Sequence, residues 1–192
     1  IGNDNSIMKL VLDYFIDYGE DLDFLSYHSY GAGSLSATDD EVLRAAETKY
    51  LTESRSVYGV DRARELYRNA KGLDLPVINS ENNANFYYTR GTDPRTQQML
   101  GAVYTALCFR TFTLKDISYN LYYTFGGSGS NSVNFGMVNI DNNKPWYPYY
   151  AQKMIGQNLA VGDKIVESTS SSSNVRVVSW INNEKLNILL IC

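Results

Sequence analysis

The chain has 192 residues, 44% hydrophobic and 20% charged, with a net charge of −4 at neutral pH. That suffices for one domain with a sizeable core, or for part of a larger one. There is no basic patch or Lys/Arg stripe to suggest a nucleic-acid partner, no uncharged apolar run of 18 residues to span a membrane, and only one histidine, His28, which excludes a histidine-rich metal site.

From Ser6, the apolar set Ile7, Leu10, Val11, Tyr14, Phe15 and Tyr18 recurs at spacings of three and four, an amphipathic helix. "LDFLSYHSY", Leu22 to Tyr30, predicts a short strand ending in polar aromatics. "ATDDEVLRAAETKY" predicts a helix whose Thr38 and Glu41 stand as a capping box, with Asp39, Asp40 and Glu41 favoured by the helix dipole. A further helix carries Ala63, Leu66, Tyr67 and Ala70 and stops at Gly72.

"LPVINSE" is the second expected strand, ending at Glu81. "TDPRTQQMLGAVYTALCF" predicts one helix with Asp93 as cap and Pro94 at its first position. "ISYNLYYTF", Ile117 to Phe125, is the third strand, followed by the glycine- and serine-rich "GGSGSNS", which lacks the lysine and following helix of a phosphate-binding loop. "KPWYPYYAQKMIGQNL" predicts a last helix over Pro145 to Leu159, with both prolines in its first turn and Trp146 as a packing residue. The tail reads as short strands, "DKIVES", "NVRVVSWI" and "KLNILLIC", separated by the link "STSSSSN" and the turn "NNE". Alternating strands and helices followed by consecutive strands imply a parallel α/β unit over residues 1–160 and a β appendage over 161–192. Three β/α units are too few to close a barrel alone, which suggests a portion of something larger.

Cys108 lies in an apolar helical pattern and reads as a buried thiol; Cys108 and Cys192 lack metal-ligand spacing. The 16 tyrosines, with frequent Asn and Ser, suit carbohydrate contact or an exported protein.

In parallel α/β folds functional groups gather where the strands end. Here those ends offer Ser26, His28 and Tyr30; Asn79, Glu81, Asn82 and Asn83; and Tyr122, Tyr123 and Thr124. Glu81 reads either as a reagent or as a strand-terminal acid capping the next loop. His28 and Tyr30 read as ligand contacts or as ordinary structural residues. Alternation allows only one of Tyr122 and Tyr123 to face the barrel axis.

"LDFLSYHSYG", "LPVINSENN", "ISYNLYYTF" and "FGMVNIDNNKPWYPYYAQKM", in that order, resemble the second half of a clan A glycoside hydrolase, most closely family 39. The resemblance implies the C-terminal half of a (β/α)8 barrel running into a small antiparallel β-sandwich. Asp23, Phe24, Ser26, His28 and Tyr30 match the sixth-strand pattern, and Ser80, Glu81 and Asn82 stand where the seventh strand carries its nucleophile. Asn82 replaces a common Trp, and Tyr122 or Tyr123 replaces the eighth-strand Trp beneath the sugar.

What the resemblance implies is a retaining glycosidase with Glu81 as nucleophile. Tyr30 would donate to it, His28 would contact the sugar or brace Tyr30, and Asn82, Tyr122 and Tyr123 would line the sugar site. The partners implied are a saccharide or glycoside and the remaining half of the barrel. No metal or organic cofactor is implied, and an extracellular or cell-surface location is expected. A retaining enzyme needs a second carboxyl about 5–5.5 Å from the first. The family places it on the fourth strand as Asn-Glu, and the one Asn-Glu here, Asn183-Glu184, sits in a tail turn. The competing reading is a non-catalytic carbohydrate-binding or cell-surface structural protein on the same architecture.

Overall fold

The structure, a computed structural model, describes residues 5–48, 59–88, 93–129 and 134–192, with the side chains of 5–8 excepted. The side chain of Ile7, the expected helix end at Lys49 and Tyr50, Thr92, and residues 130–132 of the glycine-serine stretch lie outside them.

Three parallel strands, β1 (Leu25–Ala32), β2 (Val77–Asn85) and β3 (Tyr119–Tyr122), form a sheet in chain order. Helix α1 (Asn5–Tyr18) precedes β1, α2 (Asp39–Thr48) and α3 (Val60–Lys71) lie between β1 and β2 in sequence, and α4 (Met99–Leu114) links β2 to β3. The α/β alternation follows from the apolar periods. Leu25, Tyr27 and Val77 project from one sheet face into a cluster with Leu12, Val60, Ala63, Tyr67 and Leu75, all nearly or fully buried. A second cluster joins Val42 and Ala46 of α2 to Ala84 of β2 and to Tyr104, Leu107, Cys108 and Phe112 of α4. Removal of these side chains from water is the main favourable contribution to the fold.

The expected helix signals do their local jobs. The Glu41 carboxylate accepts from the Thr38 backbone N–H at 2.7 Å, and Thr38 Oγ1 accepts from the Glu41 N–H at 3.2 Å. Gly72 closes α3 with φ of 70°, a left-handed conformation that glycine adopts at little cost.

Several boundaries differ from the sequence reading, β1 among them, which runs from Leu25 to Ala32 rather than from Leu22 to Tyr30. β2 does not stop at Glu81 but runs on to Asn85, because Ser29, Tyr30 and Ala32 of β1 pair with Asn82, Asn83 and Asn85. β3 is shorter than Ile117–Phe125. The single helix expected from Asp93 is two: a 3-10 turn at Pro94–Gln97, then α4, broken at Gln98, whose backbone is extended. A Cβ at Gly101 would lie 2.6 Å from the Thr96 carbonyl oxygen, so this junction packs too tightly for a larger residue. Pro145 belongs not to the last helix but to a small sheet of β4 (Gly126–Gly127), β5 (Val138–Asn139) and β6 (Lys144–Pro145). Helix α5 (Tyr147–Gly156) starts after it, with Pro148 in its first turn.

The tail forms an antiparallel sheet of β7 (Lys164–Val166), β8 (Arg176–Asn182) and β9 (Lys185–Ile191). Asn183 and Glu184, both at positive φ, make the two-residue hairpin turn. The sheet packs against the helices: the Trp180 ring meets Phe109 edge-on, its indole N–H donates to the Asn158 carbonyl, and Arg176 and Arg110 both pair with Glu47 of α2.

Candidate active site

In a regular strand Val77, Asn79 and Glu81 would point the same way. Val77 and Asn79 are fully buried on the helix side. Simple alternation would therefore drive the Glu81 carboxylate into the core. The register shows why it does not. Tyr27 lies opposite Asn79, yet the next β1 residue, His28, lies opposite Glu81. On the other flank Asn79 faces Asn120 and Asn82 faces Tyr122, three residues of β2 against two of β3. Ser80 is an extra residue, a β-bulge. It brings Glu81 round to the face that carries Ser26, His28 and Tyr30.

On that face three expected site residues meet. The Tyr30 hydroxyl donates to Glu81 Oε2 at 2.6 Å, and His28 Nδ1 lies 3.2 Å from the same oxygen. The Glu81 and His28 side chains are 30% and 27% exposed, so the group is held yet reachable. Among the described residues Glu81 Oε1 takes no hydrogen bond. The Tyr30 hydroxyl supplies the hydrogen bond to Oε2, with His28 Nδ1 beside the same oxygen, and Oε1 is left open.

Tyr30 is itself fixed from behind. Its ring meets Phe86 edge-on at 5.5 Å. Phe86 lies so close to Gly33 that a Cβ there would come within 2.4 Å of the ring. The rim beyond β2 is tied by a buried ion pair: Arg95 bonds Asp93 and reaches the Ala37 carbonyl and Asp39, while the Asn85 amide donates to Asp93 Oδ2 at 2.7 Å. Burial pushes the Asp93 carboxyl up, but the bonds from Arg95 and Asn85 outweigh it and hold the group below the usual aspartate range.

The remaining expected site residues lie apart from this group. Asn82 is fully buried, and its amide donates to Asn120 Oδ1 at 2.6 Å and to the Leu121 carbonyl at 2.7 Å. It ties β2 to β3 rather than facing a ligand. Tyr122, paired with Asn82, turns the same way; its hydroxyl approaches the Thr96 carbonyl at 3.5 Å, and burial, partly offset by Asn83, pushes that phenol up. Tyr123 is 42% exposed, with its ring 5.9 Å from Phe135, so it is the tyrosine of the two that keeps an open face.

The sequence reading missed what shapes this group: the bulge at Ser80, the Ser26–Ser80 contact, the Phe86 support, and Asn83, whose amide donates to the Tyr123 and Phe135 carbonyls at 2.7 and 3.1 Å. Counting parity from Val77 to Glu81 was the available signal for the bulge, since an acid in phase with core residues demands one. Among the described residues no group of three or more His, Cys, Asp or Glu could hold a metal ion, and no helix is long and apolar enough to cross a membrane.

No protein-family model matches this chain, and no curated protein matches it by sequence. Solved structures do match by fold. A monomeric beta-xylosidase from Caulobacter crescentus aligns with a TM-score of 0.59 at 14% identity, over 92% of this chain and 35% of that one. A family 39 glycoside hydrolase from Bacteroides cellulosilyticus gives 0.61 at 16%, over 93% and 35%. A glucosidase from Croceicoccus marinus gives 0.64 at 15%, over 100% and 38%. The chain thus spans little more than a third of the length of the structures it matches. It shares its fold with that portion of these glycoside hydrolases.

Proposed function

We propose that this chain is the C-terminal half of a (β/α)8 barrel entering a β-sandwich, and that it supplies the nucleophile of a retaining glycosidase. The observation that carries the reading is the Glu81 carboxylate, bulged onto the open sheet face with Tyr30 and His28 both on Oε2. Oε1 attacks the anomeric carbon while the glycosidic C–O bond breaks, and a second carboxyl protonates the departing oxygen. Water then attacks the glycosyl–Glu81 ester and gives its proton to that second group, which restores both carboxyls. The acid/base comes from a segment outside this sequence.

The open face of the sheet supports the barrel reading. Ile78 lies opposite Tyr119, so Tyr119 and Leu121 share the face opposite the helices, where they are 63% and 51% exposed. A barrel interior is filled with side chains, so further strands closing over this face would remove both from water. Tyr123, with its free ring face, suits stacking on a sugar.

The deciding experiment is to incubate the full-length protein with a panel of 2-deoxy-2-fluoro glycosides and map the adduct by mass spectrometry. The reading expects the label on Glu81. An active protein labelled on another residue overturns it.

A further inference from the structure

The Glu81 carboxylate faces the open side only because Ser80 is an extra residue, and the bulge has its own clasp. Ser26 Oγ donates to Ser80 Oγ at 2.8 Å, and Ser80 Oγ donates to the Tyr27 carbonyl at 3.2 Å. Both contacts cross from β2 to β1 at the step where the register shifts, between Tyr27 and His28. A bulge disrupts the ladder locally, and the Tyr27 carbonyl flanks the step where it does so. The Ser80 hydroxyl ties the extra residue of β2 to that carbonyl of β1, and the Ser26 hydroxyl fixes the rotamer that does so.

We propose that Ser26 and Ser80 are positioning residues for Glu81: a two-hydroxyl clasp that holds the bulge, and so decides which face of the sheet presents the carboxylate. The clasp touches neither the carboxylate nor the ring of His28, and acts through the β2 backbone. Its functional consequence rests on the glycosidase reading, whereas the geometric claim does not. Without the Ser80 hydroxyl the bulge loses this side-chain tie to β1, and the carboxylate of residue 81 shifts from the position the clasp sets. Displacement by about 1 Å at a reacting group costs on the order of 100-fold in rate.

His28 is the one histidine of this chain, and its ring lies 3.2 Å from Glu81; in full-length protein labelled with 15N-histidine its signal is assigned as the one missing from His28→Asn. Ser80→Ala and Ser26→Ala should each move the His28 ring nitrogen resonances toward their positions in Glu81→Ala. Ser80→Thr, which keeps the hydroxyl, should retain the original signal. On a substrate, kcat should fall about 10- to 100-fold in the two alanine variants with KM changed less than about twofold, and Ser80→Thr should recover it. Should Ser80→Ala fail to fold, Ser26→Ala, which leaves β2 intact, carries the test. Unchanged His28 resonances in folded Ser26→Ala or Ser80→Ala overturn the assignment. Full hydrolysis by Glu81→Ala would remove the glycosidase reading, and the resonances would still decide the clasp.

Discussion

The Tyr30 hydroxyl and the Glu81 carboxylate, 51 positions apart in sequence, meet at 2.6 Å. Parallel pairing of β1 with β2 brings them together, and the bond fixes one carboxylate oxygen while leaving the other open. Tyr30→Phe deletes that bond and keeps the ring against Phe86. A hydrogen bond to a charged group contributes about 1.5–3 kcal/mol, and partial exposure of Glu81 puts the loss at the low end, about tenfold in kcat. Steady-state kinetics of the full-length protein check it; an unchanged kcat would separate Tyr30 from the chemistry.

Tyr122 and Tyr123 should respond oppositely to mutation. Tyr122 turns to the helix side and Tyr123 keeps an open ring face. Tyr122→Phe should alter thermal stability slightly and leave KM alone. Tyr123→Ala should raise KM about tenfold, as expected for a lost stacking surface, with little change in melting temperature.

Stability should fall in acid through Asp93. Its folded-state titration lies below that of an unfolded aspartate, so the carboxylate's contribution is complete above about pH 3.9 and is lost as pH falls through the lower folded value. Asp93→Asn leaves the partly buried Arg95 guanidinium with exposed Asp39 as its remaining charge partner, and loss of a hydrogen-bonded charge costs about 2 kcal/mol. Urea unfolding at pH 7 and pH 3 reads both effects. The variant should be less stable at pH 7 and closer to the parent at pH 3.

The two thiols should react very differently. Burial pushes the Cys108 thiol up to about 12, against a weaker opposing effect of its hydrogen bond with Tyr104, whereas Cys192 is exposed. The thiolate is the reactive form. A thiol reagent at neutral pH should therefore modify Cys192 alone in the native chain and both cysteines after denaturation. Rapid native labelling of Cys108 would contradict the packing of α4.

The sequence by itself determined the elements that local chemistry controls. The capping box at Thr38 and Glu41, the glycine stop at Gly72, the alternation of strands and helices, and the tail hairpin turning at Asn183-Glu184 all depend on residues a few positions apart, whose preferences are set by backbone sterics and short-range hydrogen bonds. The pairing of Tyr30 with Glu81 was also legible, because strand ends in a parallel sheet share one rim. Only the tertiary structure decided which side of the sheet each residue faces. Glu81 lies in phase with buried Val77 and Asn79, and one extra residue, held across the strand by Ser26 and the Tyr27 carbonyl, reverses it. Asn82 went the other way for the same reason, since a single added residue exchanges the faces of everything after it on that strand, and Tyr122, opposite Asn82 on β3, faces the same side.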